Sequence, residues 1–117
     1  MKAVEAIASL GALAHEHRLA IYRLLIRRGP EGLPAGAIGG KVDLGPSSLT
    51  FHLQALHRAG LVRQVRDGRQ LIYSADFAAM NDLVSYLTSE CCASASASAT
   101  DCVPPRLPAG KRSARAA

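Results

Sequence analysis

Three cysteines, Cys91, Cys92 and Cys102, are the only thiols of the 117-residue chain, and none stands among its first ninety residues. Thiols serving as core filler would be scattered among apolar positions, whereas these gather where the chain turns polar. Soft thiolates select soft acceptors. Three of them with no imidazole alongside suit trivalent arsenic or antimony better than zinc, which takes four ligands in a closed site. An uneven number of cysteines leaves free thiols, metal or metalloid ligands and a redox switch all open. The adjacent pair makes a natural chelate and an awkward partner for a simple disulfide to Cys102, which favours the ligand reading over the redox one. A thiol enzyme fits less well. No histidine or basic residue neighbours Cys91 and Cys92 to create a reactive thiolate, and no phosphate-type loop is present, so the chain reads as a non-enzyme.

A second set of residues has the chemistry of nucleic-acid recognition. Ser47, Thr50, Phe51 and Gln54 recur at i, i+3, i+4 and i+7, with Ser48 beside them and Leu49, Leu53 and Leu56 on the other side. Short polar groups on such a face reach base edges or phosphates in a major groove, and Phe51 suits a thymine methyl. Ser47 and Ser48 also read as helix caps. Arg63, Arg66 and Arg69 cluster around Asp67-Gly68, and between residues 44 and 74 four arginines face the single acid Asp67. That local excess suits phosphate or minor-groove contact. His52 sits among the leucines and reads as a packing histidine, and His15, His17 and His57 as surface or packing residues.

The elements that must position these residues follow from periodicity. Ala3, Ile7, Leu10 and Leu13 or Ala14 predict a first helix over 2–14. Leu19, Ile21, Tyr22, Leu24, Leu25 and Ile26 predict a second over 15–28, ended by Gly29-Pro30. Residues 33–42 predict a short third helix weakened by Gly36, Gly39 and Gly40. The fourth starts at Pro46 or Ser47 and stops at Gly60. Residues 61–66 and 69–74 are two strand-like runs joined by Asp67-Gly68, a strong hairpin signal. A fifth helix, capped by Asp76, carries Phe77, Met80, Leu83, Val84 and Leu87 and continues to Cys91. The expected fold is mainly α with a small β-hairpin: a winged helix-turn-helix of about five helices plus a two-stranded wing.

Composition sets the outer bounds. Residues 1–92 carry ten Lys and Arg against eight acids and read as one DNA-binding and dimerisation domain. Residues 93–117, with four basic residues against Asp101, an Ala/Ser alternation and three prolines, read as a flexible tail carrying Cys102. No stretch approaches the roughly 20 apolar residues of a membrane span, and no export signal opens the chain, so the expectation is a cytoplasmic protein without a membrane partner.

Leu13-Ala14-His15-Glu16-His17-Arg18-Leu19-Ala20-Ile21, Ser47-Ser48-Leu49-Thr50-Phe51-His52-Leu53, and Ala59-Gly60-Leu61-Val62 with Asp67-Gly68-Arg69 and Tyr73 occur in order. In these motifs the chain resembles the ArsR family of small metal-responsive repressors over about residues 5–90. The resemblance implies a homodimer, built largely by the first and last helices, that binds near-palindromic double-stranded operator DNA and lets go when its ligand binds. Phe51 stands where the family commonly has a histidine, so the operator sequence does not carry over. Members that sense through the third helix place Cys-X-Cys there, whereas residues 33–39 contain no sulfur. Members that bind zinc on the last helix use paired Asp and His, and no histidine lies between Asp76 and Glu90. Cys91, Cys92 and Cys102 resemble the arsenite sites some members place just after the last helix, which implies three-coordinate pyramidal As(III), with Sb(III) as the second acceptor and no required cofactor. The expectation is therefore a repressor released by arsenite. A repressor switched by disulfide formation and a two-thiol sensor of methylated arsenicals are the alternatives.

Overall fold

The computed structural model describes residues 1–89, so Cys91, Cys92, Cys102 and the tail expected over 93–117 lie outside the described residues. Among the described residues the order is α1 (Ala3–Leu13), α2 (Glu16–Arg28), β1 (Leu33–Pro34), α3 (Ala35–Val42), α4 (Pro46–Arg58), β2 (Val62–Asp67), β3 (Gln70–Ala75) and α5 (Phe77–Leu87). The strands form one antiparallel sheet in the order β1-β3-β2. This is a winged helix-turn-helix, with the β2–β3 hairpin as wing.

The core forms where the apolar stripes of α2 and α4 meet. Ile21, Tyr22 and Leu25 of α2 pack with Leu49, Leu53 and Leu56 of α4, and Ile38, Leu61, Val62, Tyr73 and Phe77 close the cluster. Burying each large aliphatic contributes about 1.5–3 kcal/mol. The Tyr22 hydroxyl is buried with no hydrogen-bond partner. Burial, then the Asp76 carboxylate, push its pKa far up, so the phenol stays neutral.

Both ends of α4 are fixed by backbone chemistry. Gly45 is the N-cap with no side-chain cap, and Pro46 occupies the first turn. Ser47 and Ser48 therefore lie inside the helix and do not cap it, a correction to the sequence expectation. At the other end Gly60 adopts φ +80°. Its N–H donates to the His57 carbonyl and the Leu61 N–H to the Leu56 carbonyl. These are the paired bonds of a Schellman termination, with Leu56 and Leu61 both fully buried against it. The Leu61 carbonyl in turn accepts from the N–H of Asp76, the N-cap of α5, at 2.9 Å.

Four local features differ from expectation. The sheet has three strands because Leu33 and Pro34 pair with Tyr73 and Ile72, which also shortens α3 to Ala35–Val42. Gly32 permits that pairing: at φ +72°, a Cβ there would lie 2.4 Å from the Tyr73 carbonyl oxygen. Pro34, without an N–H, is tolerated because β1 is an edge strand. The wing turn is shifted by one residue. Asp67 pairs with Gln70, leaving Gly68-Arg69 as the loop, with positive φ at Gly68 alone as a type II′ turn requires. The fifth helix ends at Leu87, short of Cys91: the Thr88 hydroxyl donates to the Val84 carbonyl at 2.8 Å and the Ser89 hydroxyl to that of Tyr86 at 2.9 Å, terminating the helix without glycine or proline. Finally, α1 turns Ala6, Ser9 and Ala12 inward and leaves Ile7 and Leu10 outside, so its larger apolar residues do not serve the core.

Candidate nucleic-acid interface

The leucines of α4 point inward, and its opposite face is open. Ser47, Ser48, Thr50, Phe51 and Gln54 are all exposed, Phe51 by 59%. The spacing of Ser47, Thr50, Phe51 and Gln54 sets them on one stripe two turns long, the length a recognition helix offers to a major groove. Because no side chain caps α4, its first-turn N–H groups add donors for a phosphate beside Ser47 and Ser48. The preceding turn holds this helix close to α3. Asp43 adopts the left-handed conformation at φ 58°, and a Cβ on Gly39 would stand 3.2 Å from Leu44 O and from Leu49 Cδ2. Gly39, one of the glycines that weaken α3, thus lets it press against α4.

Arg63, Arg66 and Arg69 are likewise exposed, but they do not form one patch. Side chains alternate along a strand, so Arg63 and Arg66 leave β2 on opposite faces, opposite Ser74 and Leu71 respectively. Arg69 stands in the turn itself, beside Arg66 at the tip. Arg69→Ala is expected to weaken binding equally for every duplex and to lower the salt slope of log K by about one. A sequence-dependent loss in a salt titration would instead make Arg69 a base reader.

Sequence reasoning missed Arg18. From α2 its Nε donates to Nδ1 of His52 at 3.2 Å, and its guanidinium lies 5.5 Å from the centre of the Phe51 ring. His52 is 7% exposed, as a packing histidine should be. Arg18 therefore ties α2 to the inner side of α4 and supports the aromatic ring on the outer side. The partners are 34 positions apart, and no local pattern signals such a contact.

Comparisons with known proteins agree with this geometry. A helix-turn-helix domain family matches residues 13–65. Among solved structures, an ArsR-like transcriptional regulator from Rhodococcus sp. RHA1 is 28% identical, over 72% of this chain and 76% of that one, with a TM-score of 0.64. NolR from Sinorhizobium fredii is 33% identical, over 73% of this chain and 85% of that one, with a TM-score of 0.58. The chain belongs to the ArsR family of winged-helix regulators. A homodimeric winged helix-turn-helix DNA-binding domain from Mycobacterium bovis, described as a possible ArsR-family transcriptional regulator, is 27% identical over 80% of this chain and 87% of that one, with a TM-score of 0.59. No match was found among curated proteins. As an ArsR-family chain, this protein is a DNA-binding transcriptional regulator in which α3 and α4 form the helix-turn-helix and the β2–β3 hairpin the wing.

This ArsR-family chain has a second surface away from α4. Val4, Ile7 and Leu10 recur at helical spacing along α1 with Val4 and Ile7 69% and 68% exposed, and Tyr86 and Leu87 are exposed on α5, which packs against α1. Among the described residues no group of three His, Cys, Asp or Glu side chains is placed to hold a metal ion. No described helix is long and apolar enough to cross a membrane.

Proposed function

We propose that the chain is a transcriptional repressor that binds operator DNA as a homodimer and is released when trivalent arsenic binds Cys91, Cys92 and Cys102, with antimonite as the second ligand. The observation that carries this reading is that α5, which packs against α1, ends at Leu87 a few residues before the cysteine pair, and that both helices carry exposed apolar residues. A soft ion captured by those thiols pulls on the end of a helix that, in this reading, builds the dimer. The dimer fixes the distance between two reading helices, and operator affinity depends on that distance. Three soft donors are a chemically fitting set for a pyramidal As(III) ion.

Mobility shift of the reduced protein with arsenite, antimonite, cadmium, zinc and peroxide tests the ligand. Release by arsenite and antimonite supports the proposal. Release by peroxide alone transfers the switch to disulfide chemistry, and an undiminished arsenite response in Cys102→Ser points to a two-thiol site suited to methylated arsenicals.

The homodimer is supported by the α1–α5 face and by the homodimeric state of the Mycobacterium bovis domain. Ile7→Asp is expected to weaken self-association at least about tenfold, because an unpartnered carboxylate buried in an apolar contact costs more than the roughly 1–3 kcal/mol of a neutral polar group. The fold should survive, since Ile7 is outside the core. Sedimentation equilibrium measures the first effect and circular dichroism the second. Unchanged self-association would remove this face from the interface.

A further inference from the structure

Three histidines outside the expected DNA-contacting set converge where α2 meets α4. The rings of His15 and His52 are 4.6 Å apart, those of His15 and His17 5.6 Å, and those of His17 and His52 5.7 Å. Two of them accept hydrogen bonds, one capping α2 and one joining α2 to α4. His15 is the N-cap of α2, its Nδ1 accepting from the His17 N–H at 3.1 Å, and His52 accepts at Nδ1 from Arg18 Nε. An imidazole accepts through a ring nitrogen only while that nitrogen carries no proton.

We propose that His15, His17 and His52 form a proton-operated joint that holds α4 against α2 when neutral and loosens it when charged. This regulation rests on reading α4 as the DNA-contacting helix. A proton on His52 Nδ1 removes the acceptor of the Arg18 bond and sets an imidazolium against a guanidinium in a buried place. A proton on His15 Nδ1 removes the cap of α2 and places positive charge at a helix N-terminus, where the dipole opposes it. The first event breaks the bond between α2 and α4, and the second loosens the first turn of α2, which carries Arg18. The charged groups facing the cluster are Arg18 on α2 and Glu16, whose carboxylate lies 3.9 Å from His17 Nε2. The charged groups of α1, which also packs on α4, are Lys2 at its N-cap and Glu5 in its first turn. One carboxylate against an arginine and up to three imidazolium ions leaves net repulsion.

The output is the attitude of Phe51, whose ring meets the His52 ring edge-on at 5.5 Å on one side and the Arg18 guanidinium on the other. Burial first, then His15, Arg18 and His17, hold the His52 imidazole below the ordinary histidine value. The sign follows directly. The unfolded chain takes the proton more readily than the folded one, so the stability from neutral His52 is present above pH 6.5 and is lost as pH falls below it toward the folded value.

Added positive charge near DNA also attracts phosphate, but that attraction is common to all duplexes and cancels in a ratio of affinities. The measurement is therefore the affinity for a duplex selected from a random library at about pH 7.5, divided by that for its scrambled sequence, followed down to about pH 5. The ratio is expected to fall about tenfold in the wild-type chain, the equivalent of one pKa unit of coupling. His15→Ser keeps a cap acceptor and His52→Asn keeps an acceptor for Arg18, and neither residue titrates. In the double variant the ratio stays level, whatever its starting value. In the DNA-free protein, nuclear magnetic resonance should show the Phe51 ring signals shifting with the titration of His52. A Phe51 ring indifferent to that titration, or a double variant that keeps the wild-type fall, overturns the joint. Should no duplex bind at any pH, the DNA reading fails while the Phe51 titration still decides the joint.

Discussion

A chain with Cys91, Cys92 and Cys102 all replaced by serine is expected to bind its operator as the wild type does and to ignore arsenite. Wild-type affinity should fall about 100-fold on arsenite addition, equivalent to about 2.7 kcal/mol of coupling, while the variant changes by less than about twofold. The size of the difference reflects how the ligand must be held. Adjacent residues on an intact helix point about 100° apart, so Cys91 and Cys92 grip one atom only outside regular helix. The described part of α5 stops at Leu87, with its final carbonyls taken by the Thr88 and Ser89 hydroxyls. Fluorescence anisotropy of labelled operator, titrated with protein at fixed arsenite, gives both affinities. A thiol-free variant that still dissociates on arsenite addition sinks the assignment.

Leu53→Ala is expected to cost about 2–5 kcal/mol of folding stability, a large share of the roughly 5–15 kcal/mol a domain possesses. Leu53 is 1% exposed, on the inward side of α4 between Leu49 and Leu56, so its truncation leaves a cavity between the reading helix and α2. Leu19→Ala, at a position 46% exposed, is the control and should cost under about 1 kcal/mol. Urea unfolding at fixed protein concentration separates the two. Equal midpoints would mean that α4 is not anchored through Leu53.

Much of this architecture is legible in the residues because the signals are local. The leucine stripe of α4, its termination at Gly60 and the Asp76 cap each need only a few neighbouring positions and stand where their patterns place them, and the hairpin is displaced from its Asp-Gly signal by one residue. What the sequence withholds is long-range or depends on competition. β1 is two residues long and exists because Gly32 lets the chain approach Tyr73, a contact with no local signature. The end of α5 is invisible to periodicity because apolar spacing runs past it and the terminating groups are hydroxyls. In α1 the apolar pattern is real, but small Ala6, Ser9 and Ala12 occupy the inner side and the large residues face outward. For the interface, exposure of all eight residues from Ser47 to Arg69 agrees with the amphipathic reading. The opposed faces of Arg63 and Arg66 follow from strand register, and the support from Arg18 from tertiary packing.

The peptide groups of Leu61 carry a mechanical consequence. With its N–H on the final turn of α4 and its carbonyl on the residue before α5, this residue is, under the proposed function, a fulcrum between the helix read as meeting DNA and the helix that leads toward the cysteines. Torque at one arm reaches the other through two backbone bonds, so mutation of surrounding side chains can retune the ligand or the operator while the lever itself stays intact.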